Sequence, residues 1–160
     1  MTKLDPIVEF REDHRKVRDG LLELMEALQS KDVVTARKIL GKINVAVGPH
    51  FRYEEETLYP ALRVLLGEHV DQLIKEHDGV IATARSCAEL LKKDSLTDEE
   101  AKKATTAARE LLVHVSNCDG LSILSERLSK KEVDNLSEKL AAARKAGVPL
   151  LDWAETIRGK

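Results

Sequence analysis

Four stretches of the chain repeat apolar residues at intervals of three and four, the spacing that places residues on one face of an α-helix. The fourth opens with a Thr97 and Glu100 pair that predicts a capping box. Short polar breaks separate the four stretches. We therefore predict an all-α fold, an antiparallel up-down-up-down four-helix bundle around one axis. The predicted helices run from about Pro6 to Gln29, Ile39 to Leu65, Val70 to Leu91 and Thr97 to Leu121.

Composition agrees with this fold and excludes several functions. The 160 residues suit one core, and only 3% are aromatic, which disfavours a β-sheet protein. The 26 Lys and Arg nearly balance the 28 Asp and Glu without forming a basic stripe, so we expect no nucleic-acid partner. No apolar run is long enough to predict membrane association. Two cysteines are too few for a disulfide framework, which favours the cytoplasm.

The end of the chain predicts an addition to the bundle. A weaker helical pattern runs from about Lys131 to Ala146 and ends at Gly147. An apolar tail that includes Trp153 follows. We expect residues 1–128 to form the bundle and residues 129–160 to form a short C-terminal helix and tail that pack on or beside it.

Each of the four helical patterns carries one histidine at a position where an apolar residue is expected: His14, His50, His77 and His114. Glu54 follows His50 by one helical turn on the same face. Counting residues outward from the breaks places all five side chains near one level of an antiparallel bundle. Burying them without partners is costly, so they either satisfy one another or bind cations. We predict metal binding.

The residue types narrow the choice of metal. Imidazole and carboxylate without a thiolate cluster suit iron or manganese and disfavour a structural cysteine-rich zinc site. Four imidazoles and two carboxylates exceed what one open site needs, which predicts a dinuclear centre. Zinc is an alternative metal, because the zinc ion also accepts these ligands. A second alternative is a bundle that holds no physiological metal.

One segment carries a family resemblance. The run His50-Phe-Arg-Tyr-Glu54-Glu-Glu-Thr-Leu-Tyr-Pro60, with a histidine on each of the other three helices, resembles the haemerythrin family in its HHE cation-binding branch. The resemblance covers residues 1 to about 128. It implies a non-haem di-iron centre inside the bundle, bridged by carboxylates and an oxo or hydroxo group. Members of the family bind oxygen, sense oxygen or iron, or act on peroxide or nitric oxide.

The resemblance also implies roles for individual residues. By this likeness His14 and His50 bind one iron, His77 and His114 bind the other, and Glu54 bridges the two. Glu55, in the same segment, is expected to be solvated or to accept a hydrogen bond from a ligating imidazole. Tyr59 is expected to pack or to gate the pocket.

The second bridging ligand has two candidates, because the segment from His114 to Gly120 echoes the His50 motif imperfectly. Asp119 matches the position of the aspartate in oxygen-carrying haemerythrins, whereas Cys118 stands where the HHE branch more often has glutamate. On a regular helix Asp119 lies about 140° from His114, so it reaches the centre only if the turn widens, for instance into a π-bulge. We predict Asp119 as the metal ligand and Cys118 as a pocket thiol, with a Cys118 thiolate ligand as the alternative.

A further departure concerns the number of ligands. Leu73 stands four residues before His77, where oxygen-carrying haemerythrins have another histidine, and His69 is too distant to replace it. Six protein ligands instead of seven favour chemistry or sensing over reversible oxygen carriage. We expect a protein that binds or reduces oxygen, peroxide or nitric oxide. The alternatives are a catalase-like enzyme and a sensing or storage module, whose unknown partner protein would dock on the tail with Trp153.

Overall fold

The structure, a computed structural model, describes residues 3–159, and every regular element in this range is helical. None of these helices is both long and apolar enough to cross a bilayer. A π-helical turn, Glu54–Leu58, joins α2 to α3 so that both belong to one continuous helix. The α-helices are α1 (Pro6–Gln29), α2 (Val33–Tyr53), α3 (Tyr59–Leu66), α4 (His69–Leu90), α5 (Asp98–Asp119), α6 (Leu121–Ser125), α7 (Lys130–Ala146) and α8 (Leu150–Arg158).

Three of the four bundle helices, α1, α2 and α5, begin at residues whose side chains cap the helix. The Asp5 carboxylate accepts hydrogen bonds from two backbone N–H groups of the first turn of α1, and Pro6 occupies its first position. The predicted capping box of α5 is present between Thr97 and Glu100. The predicted all-α, antiparallel bundle is confirmed, with α1, α2–α3, α4 and α5 as its four helices.

Two groups of apolar side chains fill the bundle above and below one polar level. One group lies toward the α1–α2 and α4–α5 turns and includes Leu21, Leu24 and Leu91. The other lies toward the α3–α4 turn and includes Phe10 and Leu62. The four histidines lie between these groups, because each helix places its histidine between residues of one group and residues of the other.

The C-terminal segment, defined here as residues 130–159, packs on the bundle. Leu136 and Leu140 of α7 are buried in the same apolar group as Phe10. The tail, for which the sequence predicted no helix, forms α8, whose Leu150 and Trp153 are buried against α2 and α4. Leu150 and Trp153 are therefore not free to form a docking surface.

Gly48 allows the C-terminal segment to approach α2 closely. A Cβ atom at this position would lie 2.0 Å from the carbonyl oxygen of Val148 and 2.7 Å from the backbone nitrogen of Leu150. Both of these are backbone atoms, which cannot move aside as a flexible side chain can. A glycine inside α2 is thus required by the packing of the turn between α7 and α8, at the usual cost in helix stability.

We expect Gly48→Ala to lower the free energy of unfolding by about 1–3 kcal/mol, because the added methyl group collides with backbone. Gly41→Ala is the matched control in the same helix, since its Cβ would meet nothing within 4 Å. That substitution should instead stabilise the protein by about 0.5–1 kcal/mol. Urea unfolding of both variants checks this, and equal effects of the two substitutions would contradict the packing described for Gly48.

Candidate metal centre

The structure brings the four predicted histidines together, one from each bundle helix. His14 comes from α1, His50 from α2, His77 from α4 and His114 from α5. Their side chains are 7%, 4%, 0% and 12% exposed, so water is largely excluded from all four imidazoles. The Nε2 atoms of His14 and His50 are 3.2 Å apart, and the rings of His77 and His114 are 5.5 Å apart. The imidazoles therefore form two pairs at one level.

Glu54 lies between the two pairs and is fully buried. Its Oε1 is 3.4 Å from His50 Nε2, and its Oε2 is 3.0 Å from His77 Nε2. The His77 contact lacks hydrogen-bond geometry, and among the residues that the structure describes no other group makes a hydrogen bond to Oε2. A buried carboxylate oxygen without a hydrogen bond costs free energy unless a cation is bound to it.

The π-helical turn begins at Glu54 and changes which side chains face the centre. The Tyr59 N–H donates to the Glu54 carbonyl oxygen, five residues earlier. Tyr59 is thereby turned inward, and its hydroxyl lies 3.0 Å from His77 Nε2. Tyr59 was expected to pack or to gate the pocket, and its hydroxyl contact with a centre imidazole was not predicted.

The two candidates for the second bridging position occupy different places. Because α5 stays α-helical through Asp119, the widened turn that this residue needs is absent there. Asp119 instead lies 39% exposed, with its Oδ1 3.0 Å from the outward-facing Nδ1 of His14. The buried Cys118 donates from Sγ to Glu54 Oε1 at 3.0 Å. Donor atoms of His14, Glu54 and Cys118 all lie within 4.8 Å of one another, so the geometry groups Cys118 with the inward donors.

A carboxylate lies against the Nδ1 atom of each of the four histidines of the centre. This contact fixes each ring and leaves its Nε2 directed toward the centre. Of the two roles expected for Glu55, a solvated charge or a hydrogen-bond acceptor, the structure has the acceptor; the other three contacts were not predicted. The pairs are His14 with Asp119 at 3.0 Å, His50 with Asp13 at 3.1 Å, His77 with Glu55 at 2.9 Å and His114 with Glu76 at 3.0 Å.

These outer carboxylates follow a sequence rule. Each acid is the immediate neighbour of an inward-facing residue and reaches the histidine of the next helix around the bundle. The adjacent pairs are Asp13-His14, Glu54-Glu55, Glu76-His77 and Cys118-Asp119. An acid beside His14, Glu54, His77 and Cys118 was therefore the signal that could have identified all four.

Charges in the centre compensate one another. Burial alone would lower the pKa of His50, but the Glu54 and Asp13 carboxylates raise that pKa to about 10. The pKa of His77 is raised for the same reason by Glu54 and Glu55, against the effect of burial. Burial favours the neutral acid of Glu54, yet the two imidazoles hold its pKa well below the usual range. A metal cation can take the place of the protons that balance this carboxylate.

Aromatic and apolar side chains enclose the centre. Phe10 contacts His14 and His50, with ring centroids 4.4 Å and 5.2 Å apart, and Phe51 stacks on His77 at 3.8 Å. A cavity of about 200 Å³ extends from the centre between the bundle helices. Four residues of the centre line it, namely His14, His50, Glu54 and His114, and most of its other lining residues are apolar, including Val17, Leu21, Ile43, Val47, Val80, Ala84 and Leu111.

These residues fit a metal centre. The imidazole nitrogens converge, a buried carboxylate has an oxygen without a hydrogen bond, and each ring is held from behind by an acid. Nitrogen and oxygen donors of this kind are those that iron, manganese and zinc accept. The buried group of His14, Glu54 and Cys118 can thus hold a metal ion.

Comparison with known proteins agrees with this centre. The family described as the Hemerythrin HHE cation binding domain matches residues 5–121, which is more than half of the chain. The match includes all of the inward-facing residues and ends before α7. No curated protein and no solved structure matches the chain. The chain belongs to the haemerythrin family, as an HHE cation-binding domain.

Proposed function

We propose that the protein holds two non-haem iron ions at this centre and binds or reduces a small neutral ligand there: oxygen, peroxide or nitric oxide. The observation that carries the proposal is the position of the buried Glu54 carboxylate between two pairs of imidazoles, with one oxygen toward each pair. This arrangement favours two ions over one. Manganese or zinc in place of iron would keep the ligand set but change the chemistry.

The ligand set follows from the two pairs. His14 and His50 would hold one ion, His77 and His114 the other, and Glu54 would bridge both, together with an oxo or hydroxo group. When bound, an iron pair supplies electrons and a coordination position for the small ligand.

The surrounding side chains select the ligand and limit access to water. Phe10 and Phe51 cover the two imidazole pairs, so bulk water does not reach the Nε2 atoms from these sides. The apolar lining of the cavity favours a neutral molecule over a charged one. The Tyr59 hydroxyl, 3.0 Å from His77 Nε2, is a proton donor available at the centre.

We further propose that Cys118, and not Asp119, supplies the second bridging or terminal donor. Helix α2 with its π-turn and helix α5 repeat one pattern. In it, a histidine is followed four residues later by an inward-facing residue and five residues later by an outer acid. In α2 and its π-turn this pattern reads His50, Glu54 and Glu55, whereas in α5 it reads His114, Cys118 and Asp119. Cys118 thus corresponds to the bridging Glu54, and a bound metal would deprotonate its thiol.

In the iron-loaded protein, Cys118→Ser should remove or strongly shift the visible and near-ultraviolet bands that a sulfur ligand contributes. Asp119→Asn should leave the bands nearly unchanged while weakening iron affinity by about 10-fold, because Asp119 acts through the His14 ring. Absorption spectra and competition with a chelator measure the two effects. Bands that persist in Cys118→Ser and disappear in Asp119→Asn would assign the position to Asp119.

A second candidate function is peroxide decomposition by repeated turnover. One observation favours it: the buried Leu73 supplies no donor atom one turn before His77, whereas Tyr59 places a hydroxyl beside that imidazole. Fewer protein ligands and a nearby proton donor suit turnover better than reversible carriage. A sensing module that acts through the tail is less favoured, since Trp153 is buried.

The reaction of the reduced, iron-loaded protein with oxygen, with peroxide and with nitric oxide tests the function. We expect a change of the visible spectrum with each, and sustained oxygen evolution from peroxide only if the protein is a turnover enzyme. Ala84→Leu, which fills part of the cavity, should slow the reaction several-fold at unchanged iron content. Ala82→Leu, at an exposed position of the same helix, is the control. An iron-loaded protein inert to all three ligands would contradict the proposal.

A further inference from the structure

Two arginines of the C-terminal segment, which lies beyond the family match, contact carboxylates behind the metal centre. Arg144 of α7 donates from Nη2 to Asp13 Oδ1 at 2.9 Å. The other oxygen of the same carboxylate, Oδ2, lies 3.1 Å from His50 Nδ1. Asp13 therefore joins an arginine of α7 to an imidazole of the centre, with one oxygen for each.

Arg158 of α8 makes the corresponding contact on the other side. Its Nη2 donates to Glu55 Oε1, the oxygen that lies 2.9 Å from His77 Nδ1. Its Nε donates to Asp78 Oδ1 at 2.6 Å, and its guanidinium lies 5.5 Å from the centre of the Trp153 ring. The contacts with Asp78 and Trp153 fix the guanidinium in place. Glu55 therefore joins a fixed arginine to the His77 imidazole.

The two arginine-bound acids differ from the other two outer acids in exposure. Asp13 and Glu55 are 15% and 11% exposed, whereas Asp119 and Glu76 are 39% and 34% exposed. Water can solvate the latter pair. The former pair is shielded by α7 and α8 themselves, and arginine takes the place of water. Each imidazole pair thus has one solvated and one arginine-bound carboxylate behind it.

A carboxylate that accepts hydrogen bonds from arginine is a weaker acceptor for the imidazole N–H, and the imidazole then donates less electron density to a metal. Weaker donation favours the reduced ion over the oxidised one. Removing the arginine should have the opposite effect, because the carboxylate then pulls more strongly on the ring proton.

We propose that Arg144 and Arg158 are positioning residues for the metal centre, through which the C-terminal segment sets the electron donation of His50 and His77. The inference rests on the proposed di-iron function. It assigns a role at the centre to a segment outside the matched family region. The arginines touch neither the metal nor its ligand, and they act through Asp13 and Glu55.

The experiment compares Arg144→Gln and Arg158→Gln with Arg63→Gln, which breaks an exposed arginine pair with Asp71 on the bundle surface. Each full-length variant is loaded with Fe²⁺ without oxygen, its iron content is measured, and its midpoint potential is determined by optical titration. We expect both test variants to have lower potentials, with the ferric-to-ferrous ratio at a fixed applied potential raised about 10-fold. Arg63→Gln should match the wild type.

The midpoint potential decides the result. If the arginines had a purely structural role, their substitution would lower the unfolding temperature but leave the midpoint potential unchanged. Unchanged potentials in both test variants would overturn the inference. If either variant fails to fold, Arg144→Lys or Arg158→Lys replaces it, since lysine keeps the positive charge but loses the two-acid contact of the guanidinium and should give a smaller shift of the same sign. A wild-type protein that takes up no Fe²⁺ would instead overturn the proposed function.

Discussion

The carboxylate of Glu54, buried completely among imidazoles, is the constraint on which the rest of the structure depends. Moving a carboxylate out of water costs several kcal/mol unless charges and hydrogen bonds compensate for it. Here the compensation comes from His50 and His77, whose pKa values are raised against the effect of burial. Those imidazoles need their own partners, which Asp13 and Glu55 supply. The polar level is thereby built outward from one residue.

The centre has an approximate twofold pattern that relates the α1–α2 half to the α4–α5 half. Each half contributes an acid followed by a histidine on its first helix, then a histidine and an inward residue followed by an acid on its second. A phenylalanine covers each imidazole pair, whereas both arginines of the C-terminal segment bind outer acids of the α1–α2 half, Asp13 and Glu55. The pattern is also broken at one inward position, where Cys118 stands opposite Glu54. That difference gives the two halves of the centre different chemistry.

The sequence predicted the bundle and the level of the histidines because both depend on helical periodicity, which is local. It considered a widened turn only as the condition for Asp119 to reach the centre, whereas the structure has its π-turn at Glu54–Leu58 and keeps α5 α-helical through Asp119. A π-turn forms where tertiary packing stabilises the wider backbone geometry. The periodicity of neighbouring residues in the sequence does not reveal that packing. The contacts of Arg144 and Arg158 were not predicted for a similar reason, since they join residues more than 100 positions apart in the chain.

The most direct test of the account is the number of iron ions bound per chain after anaerobic loading, determined by elemental analysis together with Mössbauer spectroscopy of the oxidised protein. We expect two magnetically coupled ions in the wild type and in Glu56→Gln, whose side chain lies at the surface against Arg52. Glu54→Gln, two residues away, should lose the coupling and most of the iron. A wild-type protein with a single ion or none, or a Glu54→Gln protein that keeps a coupled pair, would contradict a centre built on this carboxylate.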